Sequence, residues 1–299
     1  MFRLAIALAL LPLCAAAAPL APDQSKQCGN CEKWNKPIEP FKVYGNTWYV
    51  GVDGLSAVLI TSDDGHILLD GALPQSAPLI AESIRKLGFK LEDVKLIATS
   101  HAHYDHVGGV AALARASGAR VVASTRTAQS LRAGGAPTDD PQYAYGVAEN
   151  AFPPVAEVVE TADGETLRVG ALALTAHYTP GHTPGATTWT WRSCEGKECK
   201  NIVYADSLNA VAHDSYRFGG SGGIADAFRR SIDAFAALPC DVLLSAHPSA
   251  SDMDKKLAAR TQGAQPDPFV DAASCRRYAA VYRDKLEQRV AKEHAPAAQ

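Results

Sequence analysis

Beyond residue 18 no stretch of the chain approaches the ~20 consecutive apolar residues needed to cross a bilayer, so no stable membrane anchor is expected. No basic patch stands out, and a net charge of −3 offers little to a polyanion, so nucleic acid is not an expected partner. Low-complexity tracts and a Pro/Gly/Ser-rich linker are also missing, and residues 19–299 therefore read as a single domain, long enough to bury a sizeable α/β core. A second Cys-x-x-Cys is absent as well, which weakens any cysteine-zinc reading of Cys28-Gly29-Asn30-Cys31.

What the N-terminus does have is Met-Phe-Arg, a short apolar core and a run of alanines. That order marks residues 1–18 as a secretory signal peptide cut near Ala17 or Ala18, and predicts a periplasmic or secreted protein. Cys14 lacks the small preceding residue of a lipidated cysteine. Losing it leaves six of the seven cysteines, an even count that in an exported chain points to disulfide bonds. Cys194-Glu-Gly-Lys-Glu-Cys199 brackets a short hydrophilic hairpin suited to a local bridge. Cys240 and Cys275 would then tie a C-terminal helix to the body. Cys28 and Cys31 form either a local disulfide or half of a metal site, and export favours the disulfide.

Periodicity predicts hairpins over residues 41–50 and 56–69, and a helix over 77–87 closed by Gly88. Strand 94–98 leads into a polar loop and then a helix from Val110. Strand 120–123 and helix 125–133 follow, then a long Gly/Pro/Asp/Asn-rich loop over 134–154 that contains Gln142 and Tyr143. The second half reads as strands 167–169, 171–178, 187–191 and 202–205, helix 225–238, strand 241–246 and helix 272–292.

The chemistry is concentrated in the loop after strand 94–98, His101-Ala102-His103-Tyr104-Asp105-His106. Imidazole and carboxylate suit zinc and similar divalent cations. In extended chain His101 and His103 point the same way, because side chains alternate, and Asp105 and His106 must turn elsewhere. One zinc accepts about four ligands, so so many ligand-type groups in one loop suggest two adjacent metals. Pro180-Gly181-His182-Thr183-Pro184-Gly185 fixes another imidazole in a rigid turn, and Ala246-His247-Pro248 places one at a strand end.

His-x-His-x-Asp-His after a strand resembles the signature of the metallo-β-lactamase superfamily. The resemblance implies an α/β fold, the αββα sandwich, with metals at one edge of the paired sheets. It implies one site from His101, His103 and His182, a second from Asp105, His106 and His247, and an Asp70 that supports the metal loop from behind. The stretch Tyr204-Ala205-Asp206-Ser207-Leu208-Asn209 is similar to the third subclass of class B β-lactamases, in which the serine faces substrate. Val43-Tyr-Gly-Asn-Thr-Trp-Tyr-Val50, Gly65-His-Ile-Leu-Leu-Asp70, Trp189-Thr-Trp-Arg-Ser-Cys-Glu195 and Asp214-Ser-Tyr-Arg-Phe218 extend the likeness over most of the mature chain. Two departures stand out. Asn209 replaces a usual small hydroxyl residue, and Asp53 stands where a cysteine is often found, which supports a Cys28–Cys31 bridge.

The resemblance thus implies a zinc-dependent enzyme with two Zn2+ that opens the β-lactam ring of antibiotics with a metal-bound hydroxide and confers resistance. Asp105 would orient the nucleophile, while Ser207, Asn209 and Gln142 contact the substrate. A small-molecule β-lactam is the expected partner and a monomer the expected state. One alternative is a related dizinc hydrolase of lactones or thioesters with Asp206 bridging the metals; another is a non-catalytic periplasmic zinc-binding protein. A serine route lacks its parts: Ser83-Ile84-Arg85-Lys86 sits in an amphipathic helix, and neither Ser-Asp-Asn nor Lys-Thr-Gly occurs. His66, His177, His213 and His294 read as structural or surface residues.

Overall fold

The structure, a computed structural model, describes residues 20–220 and 223–294, so the leader expected at residues 1–18 lies outside the described residues. Seven strands form the first sheet: β1 (Phe41–Tyr44), β2 (Thr47–Tyr49), β3 (Val58–Ile60), β4 (His66–Leu69), β5 (Val94–Ala98), β6 (Arg120–Ser124) and β7 (Val158–Thr161), in that spatial order. The first four make an antiparallel meander, and β4 through β7 run parallel. The second sheet contains β8 (Thr166–Val169), β9 (Leu172–Tyr178), β10 (Thr187–Glu195), β11 (Glu198–Ala205) and β12 (Val242–Ser245), in the order β12-β11-β10-β9-β8. Only β11 and β12 pair in parallel there.

The helices are α1 (Cys31–Trp34), α2 (Ala77–Lys86), α3 (Tyr104–Val107), α4 (Val110–Ser117), α5 (Thr125–Ala133), α6 (Val147–Asn150), α7 (Ala225–Ala236), α8 (Met253–Thr261) and α9 (Ser274–His294). Strand alternation sorts the layers. Ile67 and Leu69 of β4 meet Ile202 and Tyr204 of β11 in a core between the sheets. Their neighbour Leu68 points outward to Ile80 and Leu113 of α2 and α4. Val203 and Ala205 point outward on the other side to Phe228, Phe235 and Leu286 of α7 and α9. Strands covered on both faces read as continuous apolar runs, as β3 and β4 do. The result is the expected αββα sandwich.

All three expected disulfides form: Cys28–Cys31, Cys194–Cys199 and Cys240–Cys275. Cys194 and Cys199 are directly opposed in the β10–β11 ladder. Several element boundaries differ from expectation. The strand expected over 56–61 shrinks to Val58–Ile60 because Ser56 leaves the ladder and bonds across to the second sheet, its N–H to the Ala246 carbonyl at 3.0 Å and its hydroxyl to the Ser245 carbonyl at 2.7 Å. The loop over 134–154 contains α6 and a 3-10 turn at Tyr143–Tyr145, pinned when the Asn150 amide donates to the carbonyls of Gln142, Tyr143 and Gly146. Strand β7 and helix α8 lie where the sequence pattern predicts neither. Half of β7's residues face solvent, and α8 buries only Met253, so neither shows a clear apolar period.

Candidate metal centre

The centre lies on the rim where strands of both sheets end. His101 and His103 follow β5, Asp105 and His106 sit on α3, His182 occupies the turn between β9 and β10, and His247 follows β12. The chain behind this rim is shaped by Asp70 and Gly71. Asp70 adopts φ 58°, an uncommon conformation for a residue with a side chain. Its carboxylate accepts the Ser100 N–H, the Ser100 hydroxyl and the Tyr204 hydroxyl, each at 2.7 Å. Burial pushes this carboxyl up from its ordinary value, and the donors offset part of that cost. A Cβ at Gly71 would stand 2.8 Å from the Val110 nitrogen, so only glycine fits beneath the start of α4. Asp70 therefore braces the loop from behind, as expected.

His101, His103 and His182 come together with their ligand atoms within 4.8 Å of one another. Each ring is oriented by a bond on its far side. The Nδ1–H of His101 meets Asp206 Oδ1 at 2.7 Å, and His182 Nδ1–H donates to the Asn209 carbonyl at 2.8 Å. His103 turns the other way, with Nε2–H facing both oxygens of Asp140 at 3.2 Å. These bonds fix the tautomers, leaving lone pairs at Nε2 of His101 and His182 and at Nδ1 of His103. His101 Nε2 is buried with no hydrogen-bond partner in the described protein, which is costly unless a cation takes the lone pair. Burial, followed by the charge of His103, lowers His182 to about 3, and burial with the surrounding histidines also lowers His101. Both are neutral at neutral pH, the form that ligates metal.

The second trio is tighter. Asp105 Oδ2 lies 3.3 Å from His106 Nε2 and 3.5 Å from His247 Nε2, and the two nitrogens are 3.3 Å apart. Ligands on ~2.0–2.1 Å bonds at tetrahedral angles are ~3.4 Å apart, so these three atoms already have the edge lengths of one face of a zinc tetrahedron. Burial acts to raise the Asp105 carboxyl, but the charges of His106, His247 and His103 and a hydrogen bond from His106 outweigh it and hold it well below its usual range. For His106 burial is likewise outweighed, by Asp105 and then Asp70, and the ring is raised. His247 is lowered to about 4, chiefly by burial and then by His106. Its Nδ1–H reaches the Gly54 carbonyl at 3.2 Å. The two trios touch through His101 and His106, whose rings are 4.3 Å apart. The donor sets therefore fit two cations side by side.

The remaining expected residues fall differently. Ser207 is nearly buried at the rim, its Oγ 3.4 Å from the Asn209 N–H. Asn209 also contributes through its main chain, holding His182 with its carbonyl. Gln142 enters through its main chain too, its N–H donating to Asp140 Oδ1 at 2.8 Å. Asp206 does not lie between the trios. It stands behind His101, and the arrangement with Asp206 bridging two metals is not the one observed. His66 packs edge-on to Phe89, His177 bonds Thr190 and His213 bonds Ser215, all outside the centre, and His294 ends α9.

Three contributors carried no signal in the sequence. Asp140 orients His103 from a loop 37 residues away. Trp34 of α1 packs its ring 5.4 Å from His247 and closes on Gly54. Lys26 straps the 134–154 loop down: Nζ donates to the Ala148 and Ala151 carbonyls at 2.7 and 3.3 Å and stands 4.8 Å over the Tyr104 ring. Its own main chain is clasped by the Gln75 amide in both directions.

The profile of the Metallo-beta-lactamase superfamily matches residues 50–247, which include every residue of both trios. The chain belongs to the metallo-beta-lactamase superfamily. A subclass B3 metallo-beta-lactamase, MEM-A1, isolated from a soil metagenome library, is 49% identical, with a TM-score of 0.82 over 87% of this chain and 98% of that one. The Rm3 metallo-beta-lactamase is 47% identical, with a TM-score of 0.86 over 90% of this chain and all of that one (100%). Among curated relatives, a hydroxyacylglutathione hydrolase of Anaeromyxobacter dehalogenans is 32% identical over 124 residues, 42% of this chain and 36% of the relative. The chain thus spans only about a third of that relative's length. This metallo-beta-lactamase superfamily member is a hydrolase, which replaces the non-catalytic alternative.

Proposed function

We propose that the chain is an exported dizinc β-lactamase that opens the lactam ring of antibiotics and thereby confers resistance. The observation that supports this most is the pair of donor trios converging beside Ser207, in a chain of which 87–90% aligns with metallo-beta-lactamases, one of them of subclass B3. Two bound zinc ions would supply Lewis-acid polarisation and a water acidified to a pKa near 7. His101, His103 and His182 would hold the first, and Asp105, His106 and His247 the second. Asp105, kept ionised by its histidines, orients the attacking water through its other oxygen, Oδ1. Ser207 donates to the substrate carboxylate. Asn209 and Gln142 stand by the substrate and support it through the segments they fix. Residues 1–18 are removed on export, leaving residues 19–299 as one domain acting as a periplasmic or secreted monomer. That placement draws on the three disulfides and on the lack, among the described residues, of a helix long and apolar enough to cross a membrane.

A second reading, thioester hydrolysis, draws on the similarity to hydroxyacylglutathione hydrolases. One assay separates the two. Zinc-loaded protein is expected to hydrolyse members of a β-lactam panel, lose that activity to a chelator and regain it with zinc, while leaving a thioester and a lactone largely intact. Turnover of the thioester alone would overturn the proposal.

A further inference from the structure

Next to the second trio the rim opens into a cavity of about 320 Å3, bordered on one side by Ser207, Asn209 and His247 and on the other by Ser249, Tyr282 and Lys285. Tyr282 and Lys285 on the far wall belong to α9. Tyr282 and Lys285 are three residues apart and so share a helix face. The ammonium of Lys285 lies 4.7 Å from the Tyr282 ring centroid, a cation–π contact that steadies it at the cavity. Three of the six lysines and arginines of α9 are matched, Arg277 with Asp271, Arg283 with Asp233 and Arg289 with Glu293, and Arg229 of α7 pairs with Glu287 of α9; of the three without a salt bridge among the described residues, Arg276, Lys285 and Lys292, Lys285 is the one that lines this cavity. Lys285 has no acidic partner within salt-bridge distance among the described residues. A second cavity of about 380 Å3 continues along α9 past the same Lys285 and Tyr282.

An unmatched cation on the wall of a polar cavity that begins at the hydrolytic rim has one evident use. We infer that Lys285 forms an anion subsite that receives a negatively charged arm, a carboxylate or sulfonate on the substituent leaving the ring on its Ser207 side. The subsite selects substrates with two anionic groups over those with one. This rests on the lactamase reading, because the site would otherwise have no ring substituent to place. Tyr282 is the positioning residue, acting only through the lysine it supports.

The test uses two lactams with the same ring, one with an anionic arm and one with a neutral arm of similar size. Exposed ion pairs are modest, so Lys285→Ala is expected to raise KM for the anionic-arm compound about 3- to 5-fold, and Lys285→Glu about tenfold. The neutral-arm compound, kcat and zinc content should stay unchanged. The anionic-arm effect should shrink as salt is added, a response that loss of packing would not give. Equal KM changes for both compounds, or none, would overturn the subsite. If neither lactam were hydrolysed the lactamase reading would fail on its own. Calorimetric binding of the same two compounds to zinc-loaded wild type and Lys285→Glu then still decides the subsite: a preference for the anionic arm that the variant abolishes supports it, and no preference defeats it.

Discussion

The two donor trios use opposite means to prepare for a cation. The first is built from three imidazoles, and each ring is aimed by a partner behind it: Asp206, Asp140 and the Asn209 carbonyl. The second has fewer such supports. The His106 Nδ1 has no hydrogen-bond partner, its closest carboxylate being Asp70 at 4.0 Å, but this trio carries its own negative charge and its atoms are already at ligating distances. Orientation holds one site and charge holds the other. Preorganised rings lower the ordering cost of binding, whereas a carboxylate within a donor set offsets the charge of a cation.

That contrast can be broken most decisively at Asp105. Asp105→Asn keeps the shape and removes the charge, so zinc analysis should show loss from the second site alone. Turnover should fall by about 10²–10⁴, the usual size of an acid–base or orienting contribution. Two tightly held zincs with near-normal kcat would defeat the assignment. A smaller effect is expected at Asp206. Asp206→Asn leaves an acceptor behind His101 but alters the ring's support, and should weaken the first site by about 10–100-fold, as measured by competitive metal titration. If both ions left together, the sites would not be separable as described. The smallest change belongs to neither trio. Ser207→Ala should raise KM for a carboxylate-bearing lactam by about tenfold, the ~1.5 kcal/mol of one hydrogen bond to a charged group, with both zinc affinities preserved. Loss of metal in that variant would place Ser207 among the ligands instead.

The sequence made the centre legible to the extent that its ligands are local. His101, His103, Asp105 and His106 are crowded into one turn of chain, where spacing alone implies two directions and two cations. His182 and His247 are single histidines that gain meaning from the family order. The supports were mostly hidden. Asp140 has no motif around it, since any carboxylate delivered to His103 by the loop would serve. Asn209 holds His182 through a carbonyl that every residue possesses, so its side chain gave no hint. Asp206 is misleading for a physical reason: an aspartate at a strand end beside the rim has the chemistry of a ligand, and only the side of His101 on which it falls makes it a support. The fold followed the same rule. Fully buried strands such as β4 and the amphipathic helices α2 and α5 emerge near their true limits, while half-exposed β7 and polar α8 do not.

Each trio draws its donor side chains from both layers of the sandwich. His101 and His103 follow β5 of the first sheet, with Asp105 and His106 on α3 just beyond it, whereas His182 turns between β9 and β10 of the second sheet and His247 follows its β12. A cation at either position therefore acts as a rivet through the seam. Ligand held at a thousandfold over its dissociation constant adds ~4 kcal/mol to the folded state. Here that gain would resist one particular motion, the sliding of one sheet past the other at the rim. The strength of the seam and the capacity for chemistry would then rise and fall with the same ions.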